Sequence, residues 1–191
     1  MRFDEELWGT HQYPVLVSFV HHLAYHRTLR QCYEKSQIES EFWRRTISVH
    51  LLQAIIDWCM VFGADSNDVH WKKVVVDKET QNSFRSRLLS VTGMTNEEWQ
   101  AYWLRMTTFR NDFVAHKVVK TDYPSVPVLD MALLVVTAYD DWFRNSVSAS
   151  FIEPPLKVRY EKLMRVSGET FVKLVSSGLM IEDEYEGNPP P

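Results

Sequence analysis

Thr95-Asn96-Glu97-Glu98-Trp99-Gln100-Ala101-Tyr102-Trp103, running on through Met106 and Phe109 to Arg110-Asn111-Asp112-Phe113-Val114-Ala115-His116, is the stretch on which the reading of this chain turns. Thr95 followed three residues later by Glu98 is a capping box, so a helix is expected to start at Thr95. At about 100° per residue, Trp99, Tyr102, Trp103, Met106, Phe109 and Phe113 fall on one apolar stripe. Arg110 and His116 then sit at its two edges, about 60° from its centre. A polar group so placed is held by a packed face and still reaches a substrate or a partner subunit.

The same period runs through the rest of the chain. Tyr13-Pro14 opens a helix expected to reach about Glu34, with Pro tolerated in the first turn and Leu16, Phe19, Val20, Leu23 and Leu29 facing inward. Residues 1–12 read as an arm with one turn at most. Ile38 to Phe62 is the clearest helix, and Gly63 is expected to supply a left-handed cap. Ala64–Asp68 reads as a turn, with Ser66 or Asn67 capping a short helix that ends in the buried Val74-Val75-Val76 run. Residues 79–91, 128–147 and 156–178 complete the helices, with Pro154-Pro155 breaking the chain before the last. The expectation is an all-α, antiparallel bundle of about five to seven helices, in one domain over residues 1–180. The acidic and Pro-rich residues 181–191 are expected to form a disordered tail.

Composition narrows the function. The 191 residues suit a single sizeable core, and seven Trp argue for wide helix contacts or a buried oligomer face. A net charge of -4 excludes a global basic field, so any contact with nucleic acid must be local. The best local basic cluster is Lys72, Lys73, Arg85 and Arg87, taken as candidate substrate-binding residues, although solvated surface is the ordinary role of such charges. Cys32 and Cys59 lack zinc or redox spacing and read as buried thiols in a reducing compartment. No apolar run nears the ~20 residues that span a bilayer, and no signal-peptide pattern opens the sequence. A cytoplasmic protein with no membrane partner is expected.

Phosphate-binding glycine loops, HExxH, GxSxG and paired zinc cysteines are all missing from the sequence. His22 and His26 share a helix face, but two ligands make an incomplete metal site, and packing against aromatic rings is preferred. His50 reads as a core residue. No metal and no cofactor is expected.

What remains is Arg110-Asn111-x4-His116. This motif, at the end of a capped helix in an all-helical chain, resembles the signature of the HEPN superfamily: Arg, a polar residue, then His after a short spacer. Trp99-x-x-x-Trp103 and the Trp58-x-x-x-Phe62-Gly63…His70-Trp71 segment look like its abortive-infection branch, although Lys117-Val118-Val119-Lys120 follows where that branch has an acidic residue. The resemblance covers most of residues 13–147. It implies a metal-independent endoribonuclease of toxin or defence type, with Arg110, Asn111 and His116 catalytic. It implies a homodimer in which two motifs share one cleft, RNA as substrate, and an antitoxin protein as a possible partner. The competing expectation is an inactive HEPN-like module for binding or dimerisation.

Overall fold

The computed structural model describes residues 3–36, 40–75, 77–115, 125–146 and 152–177. In chain order these form α1 (Glu5–Leu7), a π-helical stretch (Trp8–Gln12), α2 (Tyr13–Ser36), α3 (Glu41–Phe62), α4 (Trp71–Val74), α5 (Lys78–Thr92), α6 (Asn96–Phe109), a second π-helical stretch (Arg110–Ala115), α7 (Asp130–Ser146) and α8 (Leu156–Ser176). Among the described residues the only β pairing is an isolated antiparallel bridge between Phe3 and Val75. The chain is an all-α helical bundle. The tail expected at residues 181–191 lies outside the described residues.

Local signals set most of the helix starts. Ser40, Asp77 and Thr95 each accept a hydrogen bond from a first-turn N–H, at Trp43, Thr80 and Glu98 respectively. Glu98 answers by accepting from the Thr95 N–H at 2.8 Å, so the capping box is complete. Caps of this kind are each worth about 1 kcal/mol. Gly93 ends α5 at φ 67°, a left-handed position that costs glycine nothing.

Gly63 ends α3 differently. Its φ is -82°, so it is not the left-handed cap that the sequence suggested. Glycine is needed there because a Cβ would run into the Cys59 carbonyl. Asn67, expected to cap α4, instead donates from Nδ2 to Cys59 O at 2.9 Å and satisfies the end of α3. The cap of α4 is His70, whose side chain accepts from the Lys72 N–H. Val75 is extended rather than helical, and pairs with Phe3.

α2 packs against both α3 and α8, and α5 packs against α7. Contacts at His22–His50 and His26–Ile47 make α2 and α3 antiparallel. α8 runs parallel to α2, as the Tyr13–Pro154 and Thr28–Ser167 hydrogen bonds show. The α7–α8 connection is fixed by Asp140, fully buried, which accepts from the Leu156 N–H at the start of α8 and from Arg144 Nε, both at 2.8 Å.

The N-terminal segment is not an arm. Trp8 is fully buried, stacked on Phe143 with centroids 4.0 Å apart and set edge-on to Tyr139. Gln12, also buried, donates to Val69 O and accepts from the Tyr139 hydroxyl. Pro14 lacks an N–H and crowds the carbonyl four residues earlier in an α-helix. The wider π turn over Trp8–Gln12 lets the chain continue through it, so the helix does not have to begin at Tyr13.

Candidate functional site

The motif segment is built on α6, which is anchored firmly. Tyr102, Met106 and Phe109 are buried, the Trp103 indole N–H donates to Phe62 O at 2.8 Å, and the Tyr102 hydroxyl donates to Val128 O. At Arg110 the α-helix gives way to the π turn of Arg110–Ala115, which packs on α3. This changes the phase of the stripe. Phe113, expected to continue the apolar face, is 44% exposed, while its ring still touches that of Phe109 at 5.1 Å. Asn111 is exposed and Arg110 is half-buried.

The guanidinium of Arg110 lies beside the Cys59 thiol. Burial pushes that thiol up to about 12, and the neighbouring Arg110 charge and hydrogen bond oppose the rise only in part. Cys59 is therefore an unreactive thiol at neutral pH. Arg110 makes no ion pair with a carboxylate among the described residues. His116 lies outside the described residues.

Of the four basic candidates, the structure brings two together. Lys72 and Arg85 both lie over the Trp71 ring, at 5.9 and 5.6 Å from its centroid, and all three line a cleft of ≈ 320 Å³. Lys73 and Arg87 are exposed and do not line it. Trp99 and Trp103, one turn apart on α6 and each half-buried, also line it. The i, i+4 spacing of these two Trp carried the signal in the sequence, but a stripe of this kind usually reads as core. His70, buried at the cleft floor, is pushed down to about 4, chiefly by burial, with Asp65 opposing. Its Nε2 lies 3.4 Å from Asp65 Oδ1, so this contact joins a neutral imidazole to a carboxylate and is no ion pair near pH 7.

The histidines of α2 and α3 form a separate polar seam. His22 Nδ1 and His50 Nδ1 are 2.8 Å apart, which requires one to donate and the other to accept. His26 Nδ1 lies 3.0 Å from Ile47 O and so carries its proton on that nitrogen. The two histidines that share a face in sequence thus have different partners. His50 is half-buried rather than a core residue, and burial lowers its pKa. Among the described residues no group of three or more His, Cys, Asp or Glu side chains gathers as a metal site. No helix among them is long and apolar enough to cross a membrane.

These features define an all-α bundle with a half-buried arginine on a π turn and a separate tryptophan-walled cleft. No family model, curated protein or solved structure matches the chain.

Proposed function

We propose that the chain is a metal-independent endoribonuclease of HEPN type, acting in toxin or defence biology as a C2 homodimer with a composite site. The observation that carries this reading is Arg110. A guanidinium stays charged at every accessible pH, and half-burying one that has no carboxylate partner among the described residues is unfavourable until an anion arrives. Its place on a π turn supports the reading, because such turns are frequent at functional sites.

The chemistry follows from the residue types. Arg110 grips the scissile phosphate bidentately as charge builds on its oxygens. His116, whose imidazole ordinarily titrates near pH 6.5, removes the ribose 2′-OH proton or protonates the leaving oxygen. Asn111, exposed next to Arg110, orients the phosphate. One protomer offers one motif histidine, so a two-fold axis supplies both acid and base. Leu104 and Phe113 leave apolar surface exposed on the same helical run, which suits a protomer contact there.

The test compares wild type with Arg110→Ala and His116→Ala on RNA, alongside thermal melts and sedimentation. Loss of cleavage by 10²–10⁴-fold with folding and dimerisation unchanged is the expected result. The rival reading is an inactive module for binding or dimerisation, possible because the same exposed apolar side chains serve it equally well. It expects no cleavage by wild type and mutants that lose only stability.

A further inference from the structure

The cleft beside Trp71 has a chemistry of its own. Its charge is cationic: Lys72 and Arg85 outweigh Asp65, the only carboxylate on its lining among the described residues, which is already held by Lys72 at 2.5 Å. Lys72 keeps further N–H groups beyond that bond, and Arg85, exposed, spends one nitrogen on Asn82 Oδ1 and keeps others. The lining is also aromatic, with Trp99 and Trp103 from α6. The Trp103 indole N–H is already taken by Phe62 O, so what Trp103 offers the cleft is ring surface. Asn96 and Gln100, both exposed on α6, add amides that donate and accept at the rim.

This combination selects among ligands. A cationic guest is repelled by Lys72 and Arg85, which already cover Trp71. A purely apolar guest leaves two cations and two amides without partners. A flat, hydrogen-bonding ring that carries an anion satisfies every group, and ≈ 320 Å³ is a volume suited to a small ligand. We propose that the cleft binds a phosphorylated nucleoside, with its base against Trp99 and Trp103 and its phosphate on Lys72 and Arg85. Such a ligand arrives either as one nucleotide of an RNA chain or as a free mononucleotide. The first source rests on the ribonuclease reading, and the second does not.

The experiment is a titration of the full-length chain followed by tryptophan fluorescence and calorimetry. The probes are 5′-AMP, adenosine, ribose 5-phosphate and a 2′-O-methyl hexanucleotide that cannot be cleaved through its 2′ oxygen. Saturable binding of AMP or the hexanucleotide, with tryptophan quenching, is expected. Adenosine and ribose 5-phosphate, each lacking half of the contacts, should bind at least ~10-fold more weakly than AMP where AMP is the ligand. Arg85→Gln removes one phosphate contact, and Gln100→Glu sets a carboxylate at the rim; each should weaken binding by ~10-fold or more. Arg165→Gln, on the exposed face of α8, should not. Tight hexanucleotide binding with weak AMP binding assigns the cleft to RNA, and the reverse assigns it to a free nucleotide. No saturable binding of either, or binding indifferent to both Arg85→Gln and Gln100→Glu, overturns the proposal. Because these ligands are not cleaved, binding lost with cleavage intact rejects the cleft alone. Binding intact with no cleavage rejects the ribonuclease alone.

Discussion

Trp8→Ala is expected to be among the most damaging single changes to stability. The indole is fully buried between Phe143 at 4.0 Å, Tyr139 at 5.3 Å and Tyr13 at 5.9 Å. An aromatic side chain of this kind removes roughly 150–250 Å² from water, worth about 4–6 kcal/mol at about 25 cal/mol per Å². Measured truncations of buried Phe or Trp to Ala cost about 3–5 kcal/mol once the cavity partly relaxes, and that range is the one expected here. For a domain of this size each kcal/mol lowers Tm by about 2–4 °C, so a fall of roughly 6–20 °C should appear in a thermal melt followed by circular dichroism. Urea unfolding should show a lower midpoint with an unchanged slope. A change within about 0.5 kcal/mol, the range of ordinary surface substitutions, would refute the placement of the N-terminal segment in the core.

Three further outcomes follow from buried polar groups. Asp140→Ala removes the acceptor of the Leu156 N–H and of Arg144 Nε and breaks a buried ion pair, and should cost about 3–5 kcal/mol in chemical denaturation, whereas Arg30→Ala, at an exposed i,i+4 pair, should cost under about 1 kcal/mol. Asp57 is buried and its carboxyl is raised above the ordinary 3.8, mainly by burial, so its contribution favours folding below that value and is lost as pH rises through the folded pKa. Asp57→Asn should therefore stabilise the protein at pH 7 and change little below pH 3.8, as read from unfolding curves across pH. Cys59, with its thiol pushed up to about 12, should resist a thiol reagent in the native state at pH 8, while the half-buried Cys32 reacts first and both react in denaturant.

Much of the bundle was legible because its signals are local and periodic. Thr95/Glu98 marks a helix start by its own chemistry, and Phe84, Met106, Tyr139 and Phe143 fall on the buried face that a 3.6 period assigns them. Two of the failures share one cause. Both π stretches break that period, and nothing in a helical wheel announces an extra residue per turn. The first hid Trp8 and Gln12 from a reading that started the helix at Tyr13-Pro14, and the second turned Phe113 outward. The cleft was half legible: Lys72 and Arg85 were picked out by charge, but Trp99 and Trp103 read as core because aromatic spacing alone does not separate a wall from an interior. Lys73 and Arg87 joined the cluster on sequence proximity and stand apart from the cleft in space. His70 caps α4 in place of Ser66 or Asn67, and tertiary contact with the end of α3 holds Asn67 away from the cap.

The most direct test of the central proposal is the chemistry of the cut ends. Wild-type protein incubated with RNA in EDTA should give fragments ending in a 2′,3′-cyclic phosphate by mass spectrometry, and His116→Ala and Arg110→Ala, folded and dimeric, should give none. Fragments carrying a 5′-phosphate and a free 3′-hydroxyl, cleavage that stops when EDTA is added, or cleavage that survives both substitutions would each contradict it.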